Sequence, residues 1–461
     1  MRKEKDSMGY VEVPDDAYYG AQTKRAYDNF TVSNTTLPIE IIYAITIIKR
    51  SAAIVNHSLG KLDPKVKDAI ISASDEILSQ KFNQQFIVDV FQTGSGTSTN
   101  MNVNEVIANR ANEILGSKLG SNSPVHPNDH VNMGQSSNDV IPSAIHIAAK
   151  IAISKKLIPA LTLISNEFDN KIKEFDSIIK IGRTHLQDAT PIRLGQEFSG
   201  YGASILNGTS RLFKSISSIT DIAQGGTAVG TGINTHPEFG SKIAYEISKY
   251  TDIEFKETPN HFEAQANQDA AVEVSSALKS IAVSISKVAN DIRLMGTGPR
   301  CGLGELILPP VQPGSSIMPG KVNPVICESM LQVCAQIIAN DLAITLGAQG
   351  GAFELNVMLP LIANNLVQSI NLLSNGIVMF NDKLLKNLKV DKEKCEDYIE
   401  KSLSMCTILV PVIGYDKTAQ IAYEAYETGK TIRELLLDKN ILSDMEVKKL
   451  LNPSKMTQPL K

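Results

Sequence analysis

Ile141, Ala144, Ile145, Ala148 and Ile151, then Leu157, Leu161, Ile164, Phe168, Ile172, Phe175 and Ile179, form one apolar stripe along residues 141–179. Most of the spacings are three or four, the interval at which side chains return to one face of an α-helix. A continuous helix over that stretch would be about 55–60 Å long at ~1.5 Å per residue. Pro159 lies inside it and is expected to kink the helix rather than end it. Similar stripes run roughly over 192–222, 262–296, 324–347 and 356–386. Five long helices are therefore predicted, with strand alternation largely absent.

Helices this long carry more apolar face than one subunit's core can cover, and the simplest cover is the same bundle from other copies. A homo-oligomer is expected. On either side the pattern changes. Residues 1–134 hold shorter stretches, punctuated by Gly, Asn and Pro, and read as an N-terminal mixed, helical cap. Residues 135–392 are the central bundle. Residues 393–461 are Lys/Glu-rich short helices around the Gly414-Tyr415-Asp416 turn. The fold class is all-α, mainly helical, in three domains.

Composition narrows the function. The 461 residues hold 45 Lys+Arg against 49 Asp+Glu, a formal net charge of -4, which argues against a global electrostatic hold on nucleic acid or acidic membranes. Cys301, Cys327, Cys334, Cys395 and Cys406 contain no Cys-x-x-Cys pair and show neither a disulfide framework nor a Cys-based metal site. The charged start Met1-Arg2-Lys3-Glu4-Lys5-Asp6 lacks a following apolar region, so a secretory signal is not expected. No apolar run is read as reaching the ~18–20 residues of a membrane helix. A reduced, soluble, cytoplasmic protein is the expectation.

Three polar, Gly-rich segments interrupt the helices. The first is Thr93-Gly94-Ser95-Gly96-Thr97-Ser98-Thr99-Asn100, with a relative at Met133-Gly134-Gln135-Ser136-Ser137-Asn138-Asp139. Each precedes a helix, where free backbone N–H groups and the dipole favour an anion; simple N-capping is the competing account. The second, Gly182-Arg183-Thr184-His185-Leu186-Gln187-Asp188-Ala189-Thr190-Pro191, places a histidine before what reads as a Pro-started helix. It is either a positioned acid/base or a structural hydrogen bonder. The third is Pro313-Gly314-Ser315-Ser316-Ile317-Met318-Pro319-Gly320-Lys321-Val322-Asn323-Pro324. A phosphate loop needs four residues before Gly-Lys and a Ser or Thr after it. Here five intervene and Val322 follows, so nucleotide binding is rejected. Gly226-Thr227-Ala228-Val229-Gly230-Thr231-Gly232 lacks the preceding strand of a dinucleotide site. A mobile serine beside a fixed lysine suits proton abstraction from a carbon next to a carboxylate.

The third segment resembles the sequence shared by the fumarase/aspartase superfamily, and the likeness extends from Tyr18-Tyr19-Gly20-Ala21-Gln22-Thr23 to Gly414-Tyr415-Asp416-Lys417. Within it the chain is most similar to class II fumarate hydratases, through Gln135-Ser136-Ser137-Asn138-Asp139, Thr190, Asn234-Thr235-His236-Pro237-Glu238, Arg300-Cys301-Gly302-Leu303-Gly304-Glu305 and Cys327-Glu328. Ser98-Thr99, His130, Val325-Ile326 and Met358 resemble aspartate ammonia-lyases instead, and that activity is the alternative. A non-catalytic crystallin on the same scaffold is a further one, against which Ser315, Lys321, Asn323 and His185 all stand.

The resemblance implies a homotetramer with a twenty-helix core built from five-helix central domains, active sites drawn from three subunits, and no metal or other cofactor. It implies reversible anti addition of water to fumarate, giving L-malate through an aci-carboxylate carbanion. Ser315 would be the base, and Lys321 and Asn323 would stabilise the dinegative carboxylate, with the loop's backbone amides adding to them and Ser316 and Val322 as further substrate-binding positions. Ser95, Gly96, Thr97, Ser136, Ser137 and Asn138 would hold the small dicarboxylate. Thr184 and His185 would come from another subunit, with Glu328 orienting the imidazole. A secondary dicarboxylate site is implied at His126, Pro127, Asn128 and Asp129, although some members carry Arg where this chain has Ser123. A capped turn is the competing account of that segment.

Overall fold

The structure, a computed structural model, describes residues 1–459. The expected helical runs are present: Ser137–Ala152 leading to Ile158–Phe175, then Leu194–Ile216, Asp269–Met295, Val325–Ala348 and Leu359–Lys383. Strands occur only as five two-stranded pairs among the described residues. The chain divides into two compact units. One comprises 1–159, 209–282 and 334–374; the other comprises 160–208, 283–333 and 375 onward.

In the first unit, Ile39–Ser58 is the central helix. Ile41, Ile42, Ile45, Ile48, Ala52 and Val55 return every three or four residues and are buried. Burying each large aliphatic side chain contributes about 1.5–3 kcal/mol. Pro64–Leu78, Ser137–Ala152, Phe239–Thr251 and Thr97–Ile114 pack around it. Pro64–Leu78 starts cleanly because Asp63 accepts from the Lys65 and Val66 N–H groups and Pro64 occupies the first turn. Glu105, fully buried, caps Ala21–Asn29 from outside by accepting from the N–H groups of Gly20 (2.8 Å), Gln22 (2.9 Å) and Thr23 (3.1 Å).

In the second unit, a hairpin of Ile179–Thr184 and Gln187–Arg193 is paired in antiparallel register. Ile181 joins a core with Met405, Leu409, Ile421, Leu435, Leu436 and Val447. Two short C-terminal helices begin with reciprocal capping boxes, Thr431 with Glu434 and Ser443 with Glu446.

Several expectations are corrected. The stripe of 141–179 is not one α-helix. Its hydrogen bonding shifts through a π turn at Ile153–Leu157, where the Ile158 N–H reaches Ile153 O. Pro159, which lacks an N–H, falls just after this change of register. The helix ends at Phe175, and Ile179 opens a strand. Pro191 starts no helix: it lies within Gln187–Arg193, and the helix begins at Leu194. The 262–296 stripe is split into His261–Ala266, capped by Asn260, and Asp269–Met295.

Against the expectation that no apolar run reaches the length of a membrane helix, one helix among the described residues, Val325–Ala348, is long and apolar enough to cross a membrane by length and composition. Its polar residues find partners on neighbouring helices. Asn340 Nδ2 donates to Gln368 Oε1 (2.9 Å) and Ser369 Oγ (3.0 Å), and Asp341 accepts from Ser275 Oγ (2.8 Å) and Lys279 Nζ. This is how a bundle helix of a globular protein satisfies buried polar groups.

Candidate active site

Two helix starts meet in the first unit. Thr97–Ile114 begins after Gly96, which adopts a left-handed conformation (φ 71°). A side chain there would meet Ile141 at 2.9 Å. Gly94 is tighter still, since a Cβ would lie 1.9 Å from Val357 O, and Gly94 O accepts from the Leu359 N–H at 3.0 Å. Ser137–Ala152 begins with a capping box between Ser136 and Asp139. The hydroxyls of these two starts form one chain: Ser95 Oγ to Thr97 Oγ1 at 2.7 Å, and Thr97 Oγ1 to Ser137 Oγ at 2.7 Å. Asn138 Nδ2 donates to Ala228 O (2.8 Å), which brings the Gly-rich 225–232 segment against the second start. A cavity of ≈ 390 Å³ opens here, lined by Thr97, Asn100, Asn132, Gln135, Ser136, Ser137 and Thr227 among others. Its wall is hydroxyls, amides and two helix N-termini, a surface suited to a small anion.

Beneath this wall lie charges. Asp139 is fully buried, its carboxylate accepting from the Ser136 and Thr227 N–H groups, each at 2.9 Å. Burial pushes its carboxyl up to about 6. Lys49 is also fully buried, and burial pulls its ammonium down to about 7. Lys49 and Asn132 were not singled out from the sequence. A readable signal existed for Lys49, which occupies the same helical phase as Ile41, Ile42, Ile45 and Ala52.

His126-Pro127-Asn128-Asp129 forms a turn leading into the π-helical Pro127–Val131. His126 Nδ1 accepts from the Asn128 and Asp129 N–H groups, each at 3.2 Å, and the Asp129 side chain is exposed.

In the second unit, Thr184 closes the hairpin opposite Gln187, and the exposed His185 and Leu186 form its two-residue tip with φ of 56° and 59°. The hairpin base is anchored by charge. Arg183 Nη1 donates to the buried Glu305 at 2.8 Å, and the buried Lys180 ammonium lies 3.2 Å from Glu197.

The loop of 314–323 is closed by two bonds, Gly314 N to Lys321 O (2.8 Å) and Asn323 Nδ2 to Gly314 O (2.6 Å). Within it Ser315 Oγ accepts from the N–H groups of Ile317 (3.2 Å) and Met318 (3.0 Å). Ser316, Lys321 and Val322 are exposed, and Ile317 is 83% exposed. Glu328 is exposed in the first turn of Val325–Ala348. Among the described residues of the single chain, His185 and Glu328 form no hydrogen bond. All five thiols are free. No cluster of three or more His, Cys, Asp or Glu placed to hold a metal ion occurs among the described residues.

Long helices, facing hydroxyl-bearing helix starts and a Gly-closed Ser/Lys/Asn loop define a helical lyase. A family model described as Lyase matches residues 9–339, and one described as Fumarase C C-terminus matches 405–458. The class II fumarate hydratase of Neisseria meningitidis is 48% identical over 99% of both chains. The mitochondrial fumarate hydratase of Saccharomyces cerevisiae is 49% identical over 100% of this chain and 94% of its own. Among solved structures, a class II fumarase from Schistosoma mansoni superposes with a TM-score of 0.96 at 40% identity, covering 100% of each chain. A Brucella melitensis protein described as fumarate lyase:delta crystallin, bound to cobalt, gives 0.95 at 44%, covering 99% of this chain and 100% of its own. The chain belongs to the class II fumarate hydratase family.

Proposed function

We propose that the chain catalyses reversible addition of water to fumarate, giving L-malate, the hydration step of the tricarboxylic acid cycle. The observation that carries this reading is the Ser95–Thr97–Ser137 hydroxyl chain at two helix starts, bordering the ≈ 390 Å³ cavity. Hydroxyl donors, helix dipoles and backbone N–H groups together complement a carboxylate.

Starting from malate, Ser315 removes the proton from the carbon beside one carboxylate, and in the reverse direction it returns that proton. The two backbone N–H groups on its Oγ favour an oxyanion there. Lys321 and Asn323 stabilise the dinegative carboxylate as it forms, the step that most needs electrostatic help. Gly314 and Gly320 let the exposed loop close over substrate. Ser95, Gly96, Thr97, Ser136, Ser137 and Asn138 grip the dicarboxylate with Thr184, while Ser316 and Val322 contribute loop contacts. His185 acts on the hydroxyl or water oxygen, with Glu328 setting the imidazole. No metal is used.

These parts come from three subunits of a homotetramer, each subunit having a cap of 1–134, a bundle of 135–392 and a small domain of 393–461. Exposed Ile338, Leu342 and Leu346, spaced by four on one helix, support a covering partner. His126, Pro127, Asn128 and Asp129 form a secondary dicarboxylate site. The compartment proposed is the cytoplasm; the yeast relative is named as mitochondrial, and fractionation of the source cell decides between them.

The test is the ultraviolet absorbance of the protein mixed in parallel with L-malate and with L-aspartate, without added metal. A rise with malate alone supports the hydratase. A rise with aspartate alone means an ammonia-lyase, and silence with both ends the enzymatic reading.

A further inference from the structure

Lys49 is a buried cation with no anion in direct contact: the one buried carboxylate that acts on it, Asp139, does so at a distance. It stands on Ile39–Ser58 with no solvent exposure, and its Nζ donates to Asn132 Oδ1 (2.7 Å) and Gln135 Oε1 (3.0 Å), both neutral amides. No carboxylate lies within ion-pair distance of it among the described residues.

The charged groups on the surrounding helices are engaged elsewhere or exposed. On Pro64–Leu78, Asp75 pairs with Arg50 and Glu76 with Arg110. On Thr97–Ile114, Glu105 is held by the backbone of 20–23. Asp129 and His130 lie on the 127–131 turn, and Phe239–Thr251 carries exposed Lys242 and Lys249 and half-buried Glu246. On Ser137–Ala152, Lys150 is bonded to Thr220 and Glu254, and buried His146 to Asp221 O. Only Asp139 acts on Lys49 by its charge, and its two oxygens are taken by backbone N–H groups.

Burying an ammonium whose direct partners are all neutral costs free energy that a hydrophobic side chain at the same place would not. What Lys49 holds suggests its use. Asn132 and Gln135 both line the ≈ 390 Å³ cavity. Asn132 Oδ1 also accepts from Asn100 Nδ2 and Asn104 Nδ2, each at 3.2 Å, and Asn132 Nδ2 donates to Gln135 O at 3.0 Å. Asn100 and Asn104 belong to the helix that starts at Thr97, whereas Gln135 immediately precedes the start at Ser136–Ser137. The ammonium thus ties together the two helix starts whose hydroxyls meet.

We propose that Lys49 is a positioning residue for the dicarboxylate: through Asn132 and Gln135 it sets the spacing of the two helix starts, and its charge is the buried counterpart of the bound dianion. The proposal rests on the cavity taking a dicarboxylate. Lys49 itself does not line the cavity. Its field reaches the ligand through two polarised amides, so its effect belongs in binding more than in the chemical step. With its ammonium pulled down to about 7 by burial, proton loss at alkaline pH weakens binding of a dianion, and a bound dianion in turn favours the protonated form.

The test compares wild type with Lys49→Gln, which keeps a donor without the charge, and Lys49→Met, which keeps neither. Calorimetry gives the Kd of succinate, a non-reacting dicarboxylate, across about pH 6 to 10. Turnover of L-malate gives kcat and KM, and circular dichroism checks the fold. Expected are a succinate Kd and a malate KM raised roughly 10- to 100-fold in Lys49→Met, the range for losing one charged hydrogen-bonding group. A kcat changed by much less is expected, with Lys49→Gln intermediate. Wild-type affinity should fall with rising pH, and folded Lys49→Gln should lose that slope. A folded variant with wild-type Kd, or one losing only kcat, overturns the proposal. Should both variants fail to fold, wild type decides alone: a flat Kd over the same range overturns it. Succinate binding by a wild type inert to malate would end the hydratase reading while leaving Lys49 open to the same measurement.

Discussion

At the scale of single residues, Ser315 is the position on which the proposed chemistry turns. A serine hydroxyl is a poor base until its oxygen is made to tolerate negative charge. Here two backbone N–H groups point at Oγ, from Ile317 and Met318, in a loop held shut at its base by Gly314 and Asn323. Alanine removes the oxygen and leaves the loop's closing bonds in place. Ser315→Ala is therefore expected to lower kcat by about 10²–10⁴ while KM stays within a few-fold. Steady-state kinetics with L-malate checks this, and a loss under about tenfold would remove Ser315 as the base.

At the scale of elements, the helix starts carry the proposed site, and their glycines are the sensitive points. Gly94 has no room for a methyl group, because Val357 O would lie 1.9 Å from it and belongs to backbone. Gly94→Ala must push the 93–96 loop away and disturb the Ser95–Thr97–Ser137 chain. A fall in kcat/KM of at least about tenfold is expected, with the far-ultraviolet circular dichroism unchanged. Ser137–Ala152 also sets a pH dependence. His146 on this helix is buried, its Nδ1 bonded to Asp221 O at 2.8 Å, and burial holds its imidazole below the ordinary value of 6.5. The unfolded chain takes up that proton more readily than the folded one. Stability from neutral His146 is therefore present above about 6.5 and is lost as pH falls through it. The melting temperature should drop between about pH 7.5 and 5.5, and His146→Gln should flatten part of that drop. The long helices and the Gly-rich segments were legible in the sequence because a period of three to four survives over twenty residues, and because runs of Ser, Thr and Asn before a helix are unusual. The hairpin bearing His185 was not. Ile178-Ile179-Lys180-Ile181-Gly182 is too short to distinguish a strand from the end of a helix, and the two left-handed residues at its tip, His185 and Leu186, lack the Asn-Gly signal of such turns. Lys49 and Asn132 were hidden for another reason: depth comes from neighbouring helices far away in sequence.

At the scale of the whole molecule, the proposed tetramer makes a demand that no single chain can meet. Its sites take Ser315 from one subunit and His185 from another, while within one chain His185 sits exposed at a hairpin tip without Glu328 as a partner. Both residues lie in exposed, locally closed structures, so neither variant should disturb folding; asparagine in particular tolerates the left-handed backbone of position 185. Ser315→Ala and His185→Asn should each give inactive tetramers. Mixing them under conditions of subunit exchange changes the outcome. In random hybrids each site draws its serine and its histidine independently, and about a quarter of sites receive both intact. Activity should thus return on mixing to about a quarter of wild type, followed by malate turnover after dilution and re-concentration. Size-exclusion chromatography with light scattering would show that the oligomer persists throughout. Sites built within one chain could not recover at all, because every chain in the mixture carries one defect. A mixture that exchanges subunits, shown by a mass tag on one parent, yet stays silent would overturn the sharing of sites without touching the assignment of the reaction.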